Sequence, residues 1–189
     1  MRIVLLTVLV FVFGCGPTTS SPSSRVANDS VKSRAKTKKH RRSRRKLATM
    51  PRSMAERCRQ VIPLFKDAAR RHKLEVGLLV GIARVESGFR PTVVSRAGAV
   101  GLMQVMPSTG RHFRCGDLYN VVNNAECGAR VLRRYIDRYD GDITYGLSAY
   151  NAGFRVPNRA RKKRRLPKNI GYVEKVLKAR ARYLRKGCT

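Results

Sequence analysis

The sequence is poor in acid: 42 lysines and arginines stand against only 11 aspartates and glutamates, a formal charge of +31 over 189 residues. An excess of that size has no part in building a core. It implies attraction to something anionic (nucleic acid, lipopolysaccharide, anionic lipid or a cell-wall polymer) and does not by itself choose among them. An apolar run of membrane-spanning length is also missing. Residues 3–13, the most apolar stretch, reach about half of the roughly 20 residues a spanning helix needs. Placed after Met1 and Arg2 and before Gly14, Cys15 and Gly16, they read as the apolar part of a short export leader, residues 1–15. No Cys-x-x-Cys occurs, and His72 and His112 lack ligand spacing to the cysteines, so a zinc site is not expected. No apolar/polar alternation suggests a strand, and there is no internal repeat.

No Ala-x-Ala cleavage signal follows the leader. Val12-Phe13-Gly14-Cys15 instead resembles a bacterial lipobox, with Phe13 bulky for its place, so Cys15 is the expected lipidation site and a membrane lipid anchor is expected. The remaining cysteines, Cys58, Cys115, Cys127 and Cys188, are even in number, as expected of disulfides outside the reducing cytoplasm. Three pairings are open in principle; the short spacing of Cys115 and Cys127 favours joining these two and leaves Cys58 with Cys188.

Residues 16–50 are rich in Ser, Thr, Pro, Lys and Arg and too poor in apolar side chains to bury a core, so a flexible linker is expected, roughly 30 Å in mean reach. The run Thr37-Lys38-Lys39-His40-Arg41-Arg42-Ser43-Arg44-Arg45-Lys46 looks like a nucleic-acid arm in isolation. The leader argues against that, and no aromatic residue lies among these charges to stack on bases, so a solvated spacer is expected and no specific nucleic acid.

From residue 51 to 189 the pattern turns helical, with apolar residues at three- and four-residue steps over 61–69, 76–85, 121–139, 143–149 and 170–184. Gly88, Gly98, Gly101, Gly110, Gly141 and Gly153 fall at plausible turns between them. The expected class is all-α, one folded unit. Within it Glu86 stands out: on a helix it projects to the side of Leu78, Leu79, Ile82 and Ala83, inside the apolar stripe. The helix is expected to stop at Ser87-Gly88, where the negative end of its dipole disfavours a further negative charge. Burial and dipole both raise a carboxyl's pKa, which suits a general acid; the plainer expectation is a helix-end carboxylate paired with Arg84 or Arg90.

Glu86-Ser87-Gly88-Phe89, then Ser95-Arg96-Ala97-Gly98-Ala99-Val100-Gly101-Leu102-Met103-Gln104-Val105-Met106-Pro107, then Ala149-Tyr150-Asn151-Ala152-Gly153 are three ordered blocks that together closely resemble the lytic transglycosylase family. The resemblance runs over about residues 61–184. It implies a lysozyme-like helical domain with a groove for glycan strands of alternating N-acetylglucosamine and N-acetylmuramic acid. Glu86 matches the catalytic glutamate; Ser95, Gln104 and Met106 match positions contacting sugar near the cleaved bond; Tyr150 matches a tyrosine close to the glutamate, its hydroxyl expected to point to Glu86 or the substrate acetamide. Asn151, next in the block, is expected to contact the substrate with it. Gly98 and Gly101 are expected to let the backbone approach the sugar, and Gln104 to trade hydrogen bonds with hydroxyl and acetamido groups. Met103 reads by default as core.

A second acid is absent: between Glu86 and Asp117 there is no Asp or Glu, whereas ordinary glycosidases use two. The lyase mechanism implied by the resemblance needs one carboxyl and no cofactor, leaving 1,6-anhydromuramic ends; the alternatives are a goose-type lysozyme-like hydrolase and a noncatalytic peptidoglycan-binding protein. The expected setting is the periplasmic side of the envelope, as a monomeric outer-membrane lipoprotein. Asp117, Asp137, Asp140 and Asp142 read as turn and cap residues. Two departures from the family pattern stand out: Phe154-Arg155 replaces Pro-Gly, and Lys168-Asn169 replaces Glu-Thr ahead of Tyr172-Val173. Arg155, Arg159, Arg161, Lys162, Lys163, Arg164, Arg165 and Lys168 accumulate with no acid between residues 143 and 173, either as a solvated basic loop or as a surface for wall carboxylates.

Overall fold

In the computed structural model, residues 53–189 are described; the expected leader, Cys15 and the 16–50 linker lie outside them. Among the described residues there are seven helices: α1 (Met54–His72), α2 (Val76–Glu86), α3 (Pro107–His112), α4 (Val121–Arg138), α5 (Ile143–Ala152), α6 (Arg155–Lys162) and α7 (Ile170–Lys186). The only β pairing among them is a pair of isolated bridges, Val94 with Val100 and Val100 with Val105. Five helices coincide with the periodic stretches. The other two carry no apolar stripe: α3 is one and a half turns opened by Pro107, and α6 lies in the basic segment expected to be a loop.

Three helix starts are capped by side chains. Ser53 and Glu56 form a reciprocal capping box on α1, and the side chains of Asn120 and Asp142 accept from first-turn N–H groups of α4 and α5. Asp142 is thus the cap the sequence suggests. Asp117 accepts from the Tyr119 N–H in a tight turn, whereas Asp137 and Asp140 pair with Arg133 and Arg161.

α2 is the centre of the unit. Every residue from Gly77 to Ala83 is buried, which requires neighbours on all sides. The most extensive packing is against α7, and it is close because Gly81 has no side chain: a Cβ there would sit 2.6 Å from the Val176 carbonyl oxygen. α4 and α5 approach in the same way, with Gly146 against the Ile136 backbone. Cys58 bonds to Cys188, clipping α1 to the residues after α7, and Cys115 bonds to Cys127, clipping the turn after α3 to α4. The first bridge closes a loop of 130 residues, and constraining an unfolded chain over that span is worth on the order of 4–5 kcal/mol in the loop-entropy picture.

Residues 88–106 run over the core with little regular structure, and side chains hold them. Asn124, fully buried on α4, donates to the Val100 and Leu118 carbonyls at 2.8 and 2.9 Å and accepts from the Met103 N–H at 2.8 Å. The buried Ser87 hydroxyl lies 2.7 Å from the Leu102 carbonyl and 3.1 Å from that of Ala83. Gly110 is not a turn residue; it lies inside α3, where a Cβ would meet Leu118 at 2.8 Å.

Two substitutions test this frame. Gly81→Ala gains about 1 kcal/mol of helix propensity but forces α2 and α7 apart, so a net loss of about 1–3 kcal/mol is expected in urea unfolding. Asn124→Ala leaves the Leu118 carbonyl and the Met103 N–H without partners and the Val100 carbonyl with the Val105 N–H alone, and a loss of about 2–4 kcal/mol is expected, read as a lower urea midpoint at unchanged slope.

Candidate active site

Glu86 is the last residue of α2, half-buried, with a described partner from far along the chain: the Tyr172 hydroxyl donates to Glu86 Oε1 at 2.7 Å. Tyr172 lies in the first turn of α7, so the hydrogen bond is a consequence of the close α2–α7 packing. Burial pushes the Glu86 carboxyl above the usual carboxylate range, and the Tyr172 hydrogen bond opposes this without cancelling it. The helix C-terminus adds to the upward push. Burial and the negative field of Glu86 drive the Tyr172 and Tyr150 phenols well above their ordinary value, so both remain hydrogen-bond donors.

The expected pairing of Glu86 with an arginine is not found. Arg90 donates to the Ser87 carbonyl at 2.8 Å and Arg84 to the Thr189 carbonyl at 3.3 Å. Among the described residues no cation lies within ion-pair distance of Glu86, and no second carboxylate contributes to its shift. The group is a lone, desolvated acid.

Tyr150 differs from expectation in its hydroxyl. It donates to the Met103 carbonyl at 2.8 Å, fixing the loop that passes Glu86, and the hydroxyl on Glu86 is that of Tyr172. The phenol of Tyr150 still senses the Glu86 charge, so Glu86, Tyr150, Tyr172 and Met103 form one cluster. Tyr172 was visible in sequence only as a landmark of the last block; nothing local ties it to a residue 86 positions away.

The remaining residues of the second block act mostly within the loop. Ser95 Oγ accepts from the Ala99 N–H at 3.0 Å and closes a turn whose apex, Gly98, has φ +85° and open space around it, as a backbone offered to a ligand would. Gly101 (φ +77°) has a different cause from the one expected: a Cβ would strike the Asn124 amide at 2.5 Å, so its smallness serves the core. Gln104, itself at φ +49°, donates through Nε2 to the Gly101 and Val93 carbonyls at 2.8 and 3.0 Å, so its amide protons brace the loop. Met103 is core, and Met106 is 39 % exposed at the start of α3.

Asn151 is exposed at the end of α5, where its Oδ1 accepts from Asn169 at 3.0 Å. Asn169 also binds Ser148, whose hydroxyl reaches its Oδ1 at 2.6 Å, and so ties α5 to the start of α7. Tyr135, close enough to Tyr150 to affect it, leads to an aromatic cleft of about 410 Å3. There it packs edge-on to Phe154 with centroids 4.7 Å apart, and the Arg138 guanidinium covers the Phe154 ring at 4.4 Å.

The curated relatives it resembles include the transglycosylase of Enterobacteria phage PRD1, 34% identical over 54% of this chain and 38% of that protein. Another is the membrane-bound lytic murein transglycosylase C of Actinobacillus pleuropneumoniae serotype 5b (strain L20), 41% identical over 51% of this chain and 32% of that one. The chain thus spans only about a third of the length of these relatives. Among solved structures, the 70 kDa soluble lytic transglycosylase of Escherichia coli aligns with a TM-score of 0.59 and 27% identity over 67% of this chain and 24% of that one. The Pseudomonas aeruginosa lytic transglycosylase Slt, solved as an inactive Glu-to-Gln mutant, aligns at 0.58 and 25% over 66% and 24%. The all-α, lysozyme-like class expected from the sequence is the class of these neighbours. The family model described as the transglycosylase SLT domain matches residues 63–172, more than half of the chain and a span holding both Glu86 and Tyr172, and the chain belongs to that family.

Proposed function

We propose that the protein is a peptidoglycan lytic transglycosylase in which Glu86 acts first as general acid and then as general base. The observation that carries this reading is the state of one side chain: a half-buried carboxyl, raised in pKa, held by a tyrosine hydroxyl and faced by no cation or second acid among the described residues. An acid of this kind keeps its proton near neutral pH and can deliver it to a glycosidic oxygen. The inactive Glu-to-Gln mutant of the Pseudomonas aeruginosa neighbour supports an essential glutamate on this fold.

In the proposed reaction the Glu86 proton goes to the bridging oxygen as the muramic C1–O bond breaks, and the substrate's own acetamido group stabilises the positive charge at C1. The muramic C6 hydroxyl then adds to C1 and returns its proton to Glu86. The ring closes as a 1,6-anhydro sugar, no water is consumed, and the enzyme regains its starting state. Between the two steps Glu86 is an anion, and the Tyr172 hydroxyl is placed to hold it. Ser95, Gly98, Met106 and Asn151 are proposed to face the glycan; Gln104, Gly101 and Tyr150 are proposed to support it by fixing the loop backbone. The aromatic cleft at Tyr135 and Phe154 offers ring faces and edges suited to a further sugar.

An envelope location is proposed on two grounds: relatives named membrane-bound, and the leader with its Cys15 motif. Lipidation of Cys15 and residence at the outer membrane are the finer form of that proposal.

Glu86→Gln is expected to lower strand cleavage by at least about 10^3-fold, with binding retained. Mass spectrometry of wild-type digests of sacculi is expected to give muropeptides lighter by one water than hydrolysis products; reducing ends instead would mean a hydrolase. The pH sign follows from the raised pKa. The buried carboxyl is fully tolerated while protonated and becomes costly as pH climbs through its folded-state value, so Glu86→Gln should melt higher than wild type with a gap that widens from acid to neutral pH. Tyr172→Phe removes the bond that favours the anion, so the alkaline fall in activity should move to higher pH while the rate drops.

A further inference from the structure

The connection between α5 and α7 carries charge that the proposed catalysis does not use. Arg155, Arg159 and Lys163 follow one another at four-residue steps along α6 and its cap, which sets them on one side of the helix. The helix then ends in a reversal: the Arg165 N–H returns to the Ala160 carbonyl at 3.1 Å and the Arg164 N–H to that of Arg161 at 3.0 Å, with Arg164 itself at φ +49°. This turn brings Arg165 and Lys168 to the other three cations around an open groove of about 470 Å3. Tyr145 donates to the Arg165 carbonyl at 3.3 Å, and Pro157 and Pro167 are buried, so the groove is held in shape. None of the five cations has a carboxylate within ion-pair distance among the described residues, and the sequence holds no acid between Asp142 and Glu174.

Five like charges around one concavity repel each other, and an anionic occupant relieves that repulsion. The class of anion follows from what lies between the cations. Leu166, next to Arg165, is 66 % exposed, more than any other large apolar residue among those described, and Val156 and Ala160 line the same groove. A soluble anion would use the cations and leave the leucine in water. A lipid uses both, its phosphate among the cations and its acyl end against the leucine. The groove has no aromatic lining residue to stack a base, which sets nucleic acid aside. A second basic cluster, formed by Arg84, Lys178, Arg182, Arg185 and Lys186, differs in this respect: its one apolar lining residue is the buried Ala179. We propose that the α6 groove docks the folded domain on an anionic phospholipid surface, with lipid phosphates among the five cations and Leu166 entering the acyl boundary. The inference rests on the envelope location proposed above, which supplies such a surface, and not on the lyase reading. Docking there fixes which face of the domain meets the bilayer.

The test uses the full chain with Cys15→Ser, so that no lipid is attached and, with the other four cysteines in disulfides, an introduced cysteine is the one free thiol. Leu166→Cys or Lys178→Cys carries a small fluorophore, and the probe is vesicles of phosphatidylcholine and phosphatidylglycerol holding a nitroxide-labelled lipid. Quenching is expected at position 166 and not at 178, and vesicles of phosphatidylcholine alone should quench neither. Equal quenching at the two positions, or none at 166, overturns the proposal. In vesicle sedimentation Arg159→Gln with Arg165→Gln should lower affinity for the anionic vesicles at least about tenfold, and Leu166→Ser about fivefold. Lys178→Gln with Arg182→Gln should stay within about twofold of the parent. An equal loss from the two charge pairs means attraction by net charge alone and sinks the proposal. So does a Leu166→Ser chain that binds as tightly as its parent, because a site for a soluble anion needs no leucine. Groove variants that keep affinity for vesicles and lose affinity for sacculi reassign the groove to the wall polymer and overturn it as well. Cleavage of soluble glycan is scored separately and is expected at the parent rate in the groove variants. A chain that docks but leaves glycan uncut overturns the catalytic reading and not the docking, and fractionation of cells tests the location by itself.

Discussion

The site depends on one close approach, the seating of α7 on α2 where Gly81 faces the Val176 carbonyl. Glu86 ends the first helix and Tyr172 begins the second, and 86 residues of chain separate them. Only the depth of that contact brings a phenol hydroxyl to hydrogen-bonding distance of the carboxyl. The same contact buries the end of α2, and burial is what lifts the carboxyl's pKa. Position, partner and protonation of the acid therefore share a single steric cause, and a methyl group at residue 81 acts on all three.

A second layer of constraint keeps the irregular 88–106 segment in place. A loop of this length, with two isolated bridges and a few turn bonds of its own, needs side chains to satisfy the rest of its backbone. Asn124 takes two of those bonds from inside the core and a third to the Leu118 carbonyl beyond the segment, Ser87 bridges the end of α2 to Leu102, and Tyr150 secures the Met103 carbonyl. Gln104 adds two more to carbonyls of its own loop. Several side chains that look like ligand contacts in a linear reading thus prepare the surface instead of forming it. Toward solvent the segment presents, with other groups, the backbone at Gly98 and the side chains of Val94 and Met106, held on this support.

The divide between what was legible in sequence and what was not follows the range of the interactions. Helix periodicity located α1, α2, α4, α5 and α7, and the angular position of Glu86 in the apolar stripe predicted its burial, since both follow from spacing within a few turns. The short α3 and the cationic α6 escaped because neither buries an apolar stripe; α6 is held by Pro157 and Ala160 beneath and by pairs such as Arg161 with Asp140. Tyr172 and Asn124 escaped because their roles are tertiary. A tyrosine or an asparagine in the opening turn of a helix has no local signature of a partner 86 or 24 residues away. At Gly101 the volume a side chain would need belongs to Asn124, a neighbour 23 positions away that the local sequence does not indicate.

A chain of charge +31 has a particular difficulty in keeping a carboxyl protonated, because every nearby cation stabilises the anion. At physiological ionic strength charges beyond roughly 8 Å are largely screened where they are exposed, so the hazard is confined to immediate neighbours. Arg84 and Arg90 are the neighbours in sequence, and each is turned to a backbone carbonyl, of Thr189 and Ser87 respectively. Among the described residues, further cations gather around α6 and along α7. Desolvation then decides the protonation of Glu86, opposed only by a neutral hydroxyl. The surface is free to be strongly basic toward an anionic polymer because the acid at its centre is insulated from that charge.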